Sequence, residues 1–384
     1  MTRRLLVVAR RFWPLCDESC HRLVNWSSTL QRRGFDVTIL TGRWHSSWPA
    51  ESDCREVRIV RLLPVPKTSW TETLFLRNVG TWIAKHRKEF DAIYVDESRS
   101  LLHHIGSSSI RGDLPLIARY AGVQQTMTSG MHSLTMISQA VDGCRKANFI
   151  VAPNAMAHRQ LQSSGIHADR IVRIPDVAAM SIFLGSESRK AAAGSLRRIN
   201  QDMAIPSDFK LLLYVGEINL RANLQSLIRA AIAELDRDRR FRLWLVGDGP
   251  DLRLLYDLVK DASYHHDILF HSPFDCLEEL FQVSDAIICP EAGIGDEFIL
   301  PTAIAAGIPI IGLESSSYRS AMPVALHTSL LKEPTQQHFE KAIQDRCENS
   351  QAWLQQAEMA RREWVASHFV ENAMNLWFDL LVKA

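Results

Sequence analysis

The stretch Leu243-Trp-Leu-Val-Gly-Asp-Gly-Pro250 reads as a buried strand running directly into a helix. Four apolar residues in succession suit a strand covered on both faces. Gly247 and Gly249 permit a tight turn and a close approach of backbone. Pro250 suits the first turn of a helix, where its missing amide hydrogen is not needed. Taken alone, the pattern fits an ordinary strand–helix turn as well as a turn built to meet phosphate groups.

The same alternation extends in both directions. Downstream and around this stretch, strands are expected at 210–216, 242–247, 267–270, 286–290 and 308–313, with helices over 224–235, 250–260, 277–283 and 301–306. Upstream, strands are expected at 4–10, 36–41, 57–63, 92–96, 115–121, 149–153 and 171–175, with helices near 18–33, 72–88, 131–147 and 155–164. Gly34 and Gly165 stand just past two of these helices, where a left-handed terminal residue is usual. The stretch 185–200, rich in Gly, Ser, Ala and Arg, reads as a hinge or a loosely packed helix. Two runs of alternating strand and helix imply an α/β protein of two doubly wound, parallel-sheet domains. No repeat of about 20–50 residues relates the halves, so they match in architecture only. The tail from 335 to 384 reads as helical and ends in an amphipathic segment carrying Trp364, Phe369, Leu376, Trp377 and Leu380.

Composition narrows the function. The 384 residues, 46% hydrophobic and 23% charged, fit two domains of ordinary soluble type. There is no apolar run long enough to span a bilayer. Residues 5–9 are too short a run for a signal peptide and end at Arg10-Arg11, so they read as a buried first strand. Seven cysteines, an odd number, do not form a disulfide framework, and a reducing cytoplasm is the expected setting. Cys16, Cys20 and His21 lack a second ligand pair at zinc spacing. The pairs His103-His104 and His265-His266 diverge on regular structure, so no metal is expected. The net charge of +1 conceals an asymmetry: residues 1–175 carry 24 Lys and Arg against 14 Asp and Glu, and the remainder 20 against 29. A basic first half suits a phosphate-bearing acceptor or peripheral contact with an anionic membrane surface, although solvated arginines on helix faces give the same numbers. No aromatic-interleaved basic motif points to nucleic acid. No Gly-x-Gly-x-x-Gly follows the first strand, where Arg10-Arg-Phe-Trp-Pro14 stands, which argues against a dinucleotide-dependent dehydrogenase. Nor is there a Gly-x-Ser-x-Gly elbow.

Four segments of the second half occur in a telling order: Leu212-Leu-Tyr-Val-Gly-Glu217, Leu243 through Pro250, Leu280-Phe-Gln-Val-Ser-Asp-Ala-Ile-Ile-Cys-Pro290 and Ala303-Ile-Ala-Ala-Gly-Ile-Pro-Ile310. Together they resemble the C-terminal domain of family 4 glycosyltransferases, which adopt the GT-B fold of two Rossmann-like domains facing an interdomain cleft. In the first half, Leu30 through Thr41 is similar to the family's helix–Gly–strand passage, and Ala147 through Asn154 and Arg170 through Pro175 resemble the end of its first domain. The resemblance implies an acceptor-side domain over 1–180, a hinge at 181–200 and a donor-side domain over 201–365. A C-terminal helix, 366–384, would pack back on the first domain. It implies a nucleoside-diphosphate sugar as co-substrate, with no other cofactor. Transfer would go with retention to a carbohydrate or lipid-linked acceptor at the cytoplasmic face of a membrane. Donor-side candidates are Gly216, Glu217, Arg221, Gly247, Asp248, Gly249, Glu291, Gly295, Glu297 and Thr302; acceptor-side candidates are Arg119, Tyr120 and Gly122, with Asp96 and Glu97 nearby. No catalytic residue is assigned.

The donor motifs depart from the family in one direction. Where the family supplies an Arg and, five residues on, a Lys, this chain has Glu217 and Ala222; Arg221 is the cation left to substitute. The family's two glutamates fall on Ile294 and Thr302, with Glu291 and Glu297 nearby. The usual glycine pair after the first strand is Asp17-Glu18, and the Asn-Gly near the hinge is Asp176-Val177. Positive charge is removed and negative charge added where a diphosphate would lie. An inactive relative kept as a binding or partner subunit is therefore the alternative expectation.

Overall fold

The computed structural model describes residues 3–15, 18–96, 100–122, 140–175, 188–272, 277–290, 299–314, 322–367 and 370–384. The chain divides into two compact units, one of Met1–Leu15, Arg22–Asp176 and Glu371–Ala384, the other of Cys16–His21 and Val177–Val370.

The first unit is built on eight strands: β1 (Arg4–Val8), β2 (Asp36–Gly42), β3 (Glu51–Cys54), β4 (Val57–Leu62), β5 (Ala92–Val95), β6 (Leu116–Arg119), β7 (Phe149–Ala152) and β8 (Ile171–Arg173). Their order is β3-β4-β2-β1-β5-β6-β7-β8. All pairs are parallel except β3 with β4. The unbroken apolar runs are buried on both faces, as a parallel sheet demands. The direction of winding changes between β1 and β5, which makes that gap the topological switch point. β3 was not expected from sequence. It is a short, half-exposed edge strand joined to β4 by a two-residue turn in which Arg55 and Glu56 both take left-handed conformations.

Helices α1 (Glu18–Arg32), α2 (Ser69–His86), α3 (Ser100–Ile105), α4 (Ser108–Arg111) and α5 (Ala155–Ser163) belong to this region of the chain. The short α3 and α4 also went unread in the sequence. The expected helix at 131–147 is described only at its end, where residues 140–144 are helical; residues 131–139 lie outside the described residues. A late helix, Val370–Lys383, carries Trp377 into an aromatic cluster of this unit. The Trp26 ring lies 4.7 Å from Tyr94 and 4.9 Å from Trp377, and Tyr94 meets Trp377 edge-on at 5.3 Å. Phe35 and Phe378 make a second edge-on pair, and the Arg3 guanidinium donates to the carbonyls of Leu381 and Val382.

The second unit has a six-stranded, all-parallel sheet: β9 (Lys210–Val215), β10 (Phe241–Val246), β11 (Ile268–His271), β12 (Ala286–Cys289), β13 (Ile310–Leu313) and β14 (Leu330–Leu331). The order β11-β10-β9-β12-β13-β14 places its switch point between β9 and β12. Its helices are α6 (Ser188–Ile199), α7 (Leu224–Arg237), α8 (Leu252–Asp261), α9 (Glu278–Val283), α10 (Ile299–Ala306), α11 (Gln336–Glu348) and α12 (Ser350–Ser367); the late helix Val370–Lys383, nearly all of it in the first unit, is α13.

Of the two readings offered for 185–200, a hinge or a loosely packed helix, the described part is a helix. Residues 188–199 form α6, whose Ala192 and Leu196 are buried in one cluster with Leu211, Leu213, Leu280 and Phe281. Small residues that looked loose in sequence let the helix lie close against α9. Arg189 fixes it by a bidentate pair with Asp285 at 3.0 and 2.9 Å; that carboxylate also accepts from the Leu211 amide.

Two outcomes follow from this packing. Trp377 is 5% exposed, so Trp377→Ala should cost the first unit about 3–5 kcal/mol. Thermal melting would show the loss, and an unchanged curve would place α13 outside that core. In α7, burial pushes the carboxyl of Glu234 up, with Arg237 opposing. Folding therefore takes up a proton, and stability falls as pH rises past the ordinary carboxylate range. Glu234→Gln should raise the melting temperature at neutral pH, with the gain fading on acidification.

Candidate functional site

In open parallel sheets, ligands gather beyond the carboxyl ends of the strands at the switch point. In the second unit that edge is formed by the segments leaving β9, β10 and β12. The β9 segment, residues 216–223, is held from both sides. Toward β10, the Ile218 amide donates to the Asp248 carbonyl at 3.0 Å, the Asp251 amide to the Ile218 carbonyl at 3.2 Å, and the Leu220 amide to the Asp251 carboxylate at 2.8 Å. Toward β12, the Asn223 side chain donates to the Pro290 carbonyl at 2.8 Å.

The two glycines of the 247–249 turn exist for this contact. A β-carbon on Gly247 would sit 1.8 Å from the Gly216 carbonyl oxygen, and one on Gly249 would sit 2.2 Å from that of Ile218. Gly247 also has a φ of +157°. Close backbone approach was legible in the sequence; that the neighbouring loop is what approaches was not. Gly216 itself lies under the Tyr214 hydroxyl, which donates to the Glu217 carbonyl at 2.8 Å.

The charged candidates stand on this scaffold. Glu217 is exposed and accepts from the Asn219 side chain at 2.9 Å. The oxygen of the same amide accepts from Ala222 at 2.9 Å and so caps the turn Leu220–Ala222 that carries exposed Arg221. Asp248 is exposed and caps its own turn through the Gly249 amide. Asn223, left-handed at φ 57°, gives α7 no side-chain cap; its amide nitrogen donates to Pro290. The first turn of α7 thus keeps backbone donors that favour an anion. Thr302 lies in α10, the helix after β12; it is 2% exposed, and its hydroxyl has no hydrogen-bond partner among the described residues. Asn219, Asn223, Tyr214 and Asp251 were missed in the sequence. An asparagine three residues before a capped amide is the one signal that could have found Asn219. Glu291, Ile294, Gly295, Glu297, Asp17, Glu97, Asp176 and Val177 lie outside the described residues, and Glu18 is described only as backbone.

In the first unit the carboxyl end of the switch point is occupied by the protein's own charges. Arg22 of α1 pairs with Asp96 beyond β5, both nearly excluded from solvent, and the Tyr94 hydroxyl donates to the same carboxylate at 2.8 Å. Burial, with Asp96 adding to it, drives the Tyr94 hydroxyl well above its ordinary range, while Arg22 and Arg119 pull the other way. Arg10, beyond β1, pairs with Glu72 of α2, and Ser100 donates to that carboxylate at 2.7 Å. The acceptor-side candidates separate here. Tyr120 is a core residue rather than an open-site residue: it is 1% exposed, its hydroxyl donates to Gln160 at 2.9 Å, and burial pushes it up to about 12. The strand-end position left its side chain inside, against α5. Arg119 is buried as well, and Gly122, at φ 92°, makes the turn beside Met156. Among the described residues no group of three or more His, Cys, Asp or Glu could hold a metal ion.

Residues 209–349 match the family model described as Glycosyl transferases group 1, and residues 21–176 match Glycosyltransferase Family 4. The chain is similar to N-acetyl-alpha-D-glucosaminyl L-malate synthase of Bacillus anthracis, 26% identical over 138 residues, 36% of each chain. It is also similar to the glycosyltransferase EpsF of Bacillus subtilis (strain 168), 25% identical over 176 residues, 44% of this chain and 43% of that protein. These alignments span less than half the length of either relative. Among solved structures, sucrose-phosphate synthase from Thermosynechococcus elongatus superposes with a TM-score of 0.75 at 17% identity, covering 99% of this chain and 98% of that one. Anabaena Alr3699/HepE, in complex with UDP and glucose, gives 0.73 at 13% identity with full coverage of both chains. At such identities the likeness is one of fold.

The glycine contacts give a direct test. Gly247→Ala puts a β-carbon inside the Gly216 carbonyl. It should cost about 2–4 kcal/mol through strain and broken loop bonds, read by denaturant unfolding. Gly194→Ala, in open space on α6, should be neutral or slightly stabilising.

Proposed function

We propose that this chain, which belongs to the glycosyltransferases and shares their GT-B fold, transfers a sugar with retention of configuration. The donor is a nucleoside-diphosphate sugar and the acceptor a carbohydrate or lipid-linked sugar. The UDP and glucose held by HepE support this donor class. The observation that carries the proposal is the start of α7 at the switch point, a helix terminus without a side-chain cap beside the exposed guanidinium of Arg221. Such a terminus favours negative charge, and the charge that grows on a departing diphosphate is what transfer must stabilise. Thr302 supports the same reading, since a buried hydroxyl without a partner is costly unless a ligand completes it. In this scheme Arg221 takes the place of the missing arginine and lysine, and Thr302 binds a donor hydroxyl in place of a carboxylate.

Glu217 favours a second reading. It is a carboxylate at the end of β9 that makes no ion pair among the described residues. If it repels every diphosphate, the chain is a binding or partner subunit with the shell of a transferase.

Calorimetric titration with UDP-, GDP-, ADP- and TDP-sugars separates the two. One donor should bind with micromolar affinity; Arg221→Ala should weaken it about tenfold or more, and Glu217→Gln should tighten it. No saturable heat with any donor, from protein shown to be folded, would reject the transferase reading for the partner-subunit one.

A further inference from the structure

We infer that the carboxyl edge of β2 and β4 in the first unit holds an acidic sugar, a pyranose ring bearing a carboxylate or a phosphate. Arg61 of β4 is 4% exposed, and no carboxylate pairs with it among the described residues. Its guanidinium donates to the Pro49 carbonyl at 3.3 Å, the Ser52 hydroxyl at 2.8 Å and the Trp13 carbonyl at 3.0 Å. In register beside it on β2, Thr41 is 1% exposed, and its hydroxyl has no partner among the described residues. Nor has the buried indole N–H of Trp13, the residue whose carbonyl Arg61 holds. A clip between two loops accounts for the three bonds of Arg61. It does not account for a buried cation without a counter-charge, or for two buried donors left open beside it. Each of these is costly unless a ligand completes it.

The surroundings are aromatic and positive. Segments 9–15 and 41–50 carry three tryptophans, three arginines and a histidine, with no carboxylate. Arg61 lies 5.8 Å from the ring centres of both Trp13 and Trp48, and Arg11 lies 5.2 Å from that of Trp44. All three indoles are half-buried. They are also fixed: the Trp44 N–H donates to the Arg10 carbonyl at 2.8 Å, and Arg43 holds the Trp48 carbonyl at 2.6 Å. An indole held in this way offers flat apolar area without the entropic cost of ordering it. The C–H face of a pyranose ring matches such a surface, and its hydroxyls match the open Thr41 and Trp13 groups. Its anionic substituent supplies the counter-charge that Arg61 lacks. A neutral sugar would leave that cation uncompensated, and a free anion would leave the indoles without a ring. The inference rests on the proposed transfer only in calling the bound sugar an acceptor; binding itself needs no donor.

Tryptophan fluorescence of the full chain, titrated without any nucleotide sugar, should change saturably with glucuronate or glucose 6-phosphate, at about millimolar Kd. A response to one of the two names the carboxylate or the phosphate as the substituent. Glucose and inorganic phosphate should each bind about tenfold more weakly. Arg61→Gln should lower the affinity for the acidic sugar about tenfold, to the level of glucose. Trp48→Leu should lower it about fivefold. Melting curves verify folding, and if Arg61→Gln does not fold, the half-buried Trp48 carries the test. Arg253→Gln, on α8 of the other unit, should leave the affinity unchanged. No saturable change with either acidic sugar, equal affinity for glucose or for inorganic phosphate, or wild-type affinity in the folded variants would overturn the inference. That failure would leave donor binding and the proposed transfer standing, and failure of the donor titration would leave this site standing as a sugar-binding one.

Discussion

The contact between the Gly247 α-carbon and the Gly216 carbonyl is the constraint on which the second unit's working edge depends. It leaves no room for a side chain, so the turns after β9 and β10 meet backbone to backbone. Three bonds then follow in register, from Ile218 to Asp248, from Asp251 to Ile218 and from Leu220 to Asp251. They fix where α7 and α8 begin. Once the first of these helices is placed, Asn223 reaches Pro290 and carries the constraint across the switch point to β12. Arg221 is thereby positioned by loop backbone, and Glu217 by that backbone together with Asn219, and both side chains are exposed.

The first unit solves the same geometric problem in the opposite way. Its switch point is closed by the Arg22–Asp96 pair, with Tyr94 on the same carboxylate, and by Arg10 with Glu72. A buried pair of this kind adds little net stability, but losing either partner leaves an uncompensated charge worth about 3–5 kcal/mol. Tyr94, bonded to Asp96 and packed on Trp26 and Trp377, links this pair to α13. The basic excess of the first half is partly met by ion pairs: Arg22 has a buried carboxylate, Arg10 a half-buried one, and Arg4 and Arg58 exposed ones.

Much of this fold was legible because parallel strands buried on both faces announce themselves as apolar runs. Each of the twelve strands read from such runs is present, within a few residues at either end. The elements that escaped have physical reasons. β3, Glu51-Ser-Asp-Cys54, is a half-exposed edge with no apolar face, and its turn uses Arg55-Glu56 where Asn-Gly would have been the signal. β14 is only two residues long. At the site, composition disclosed the glycines and the reversed charge, since both are properties of single positions. It could not disclose that Tyr120 points into the core, because a strand's last residue can face either way. Nor could it disclose Arg22 with Asp96, because 74 residues separate them and only the sheet brings them together.

The reversed charge at Glu217 then becomes a question of direction more than of sign. Two unit charges about 4 Å apart are worth about 4 kcal/mol at an effective dielectric near 20. A helix terminus returns only about 0.3–2 kcal/mol, and a charge-assisted hydrogen bond about 1.5–3 kcal/mol. A carboxylate pointing at a diphosphate would therefore outweigh either device alone. Asn219 bears on both sides of that balance: its amide nitrogen holds Glu217 along the loop, while its oxygen caps the turn that presents Arg221. One side chain thus positions both charges. The electrostatics of this edge depend on Asn219 more directly than on the identity of Glu217 itself.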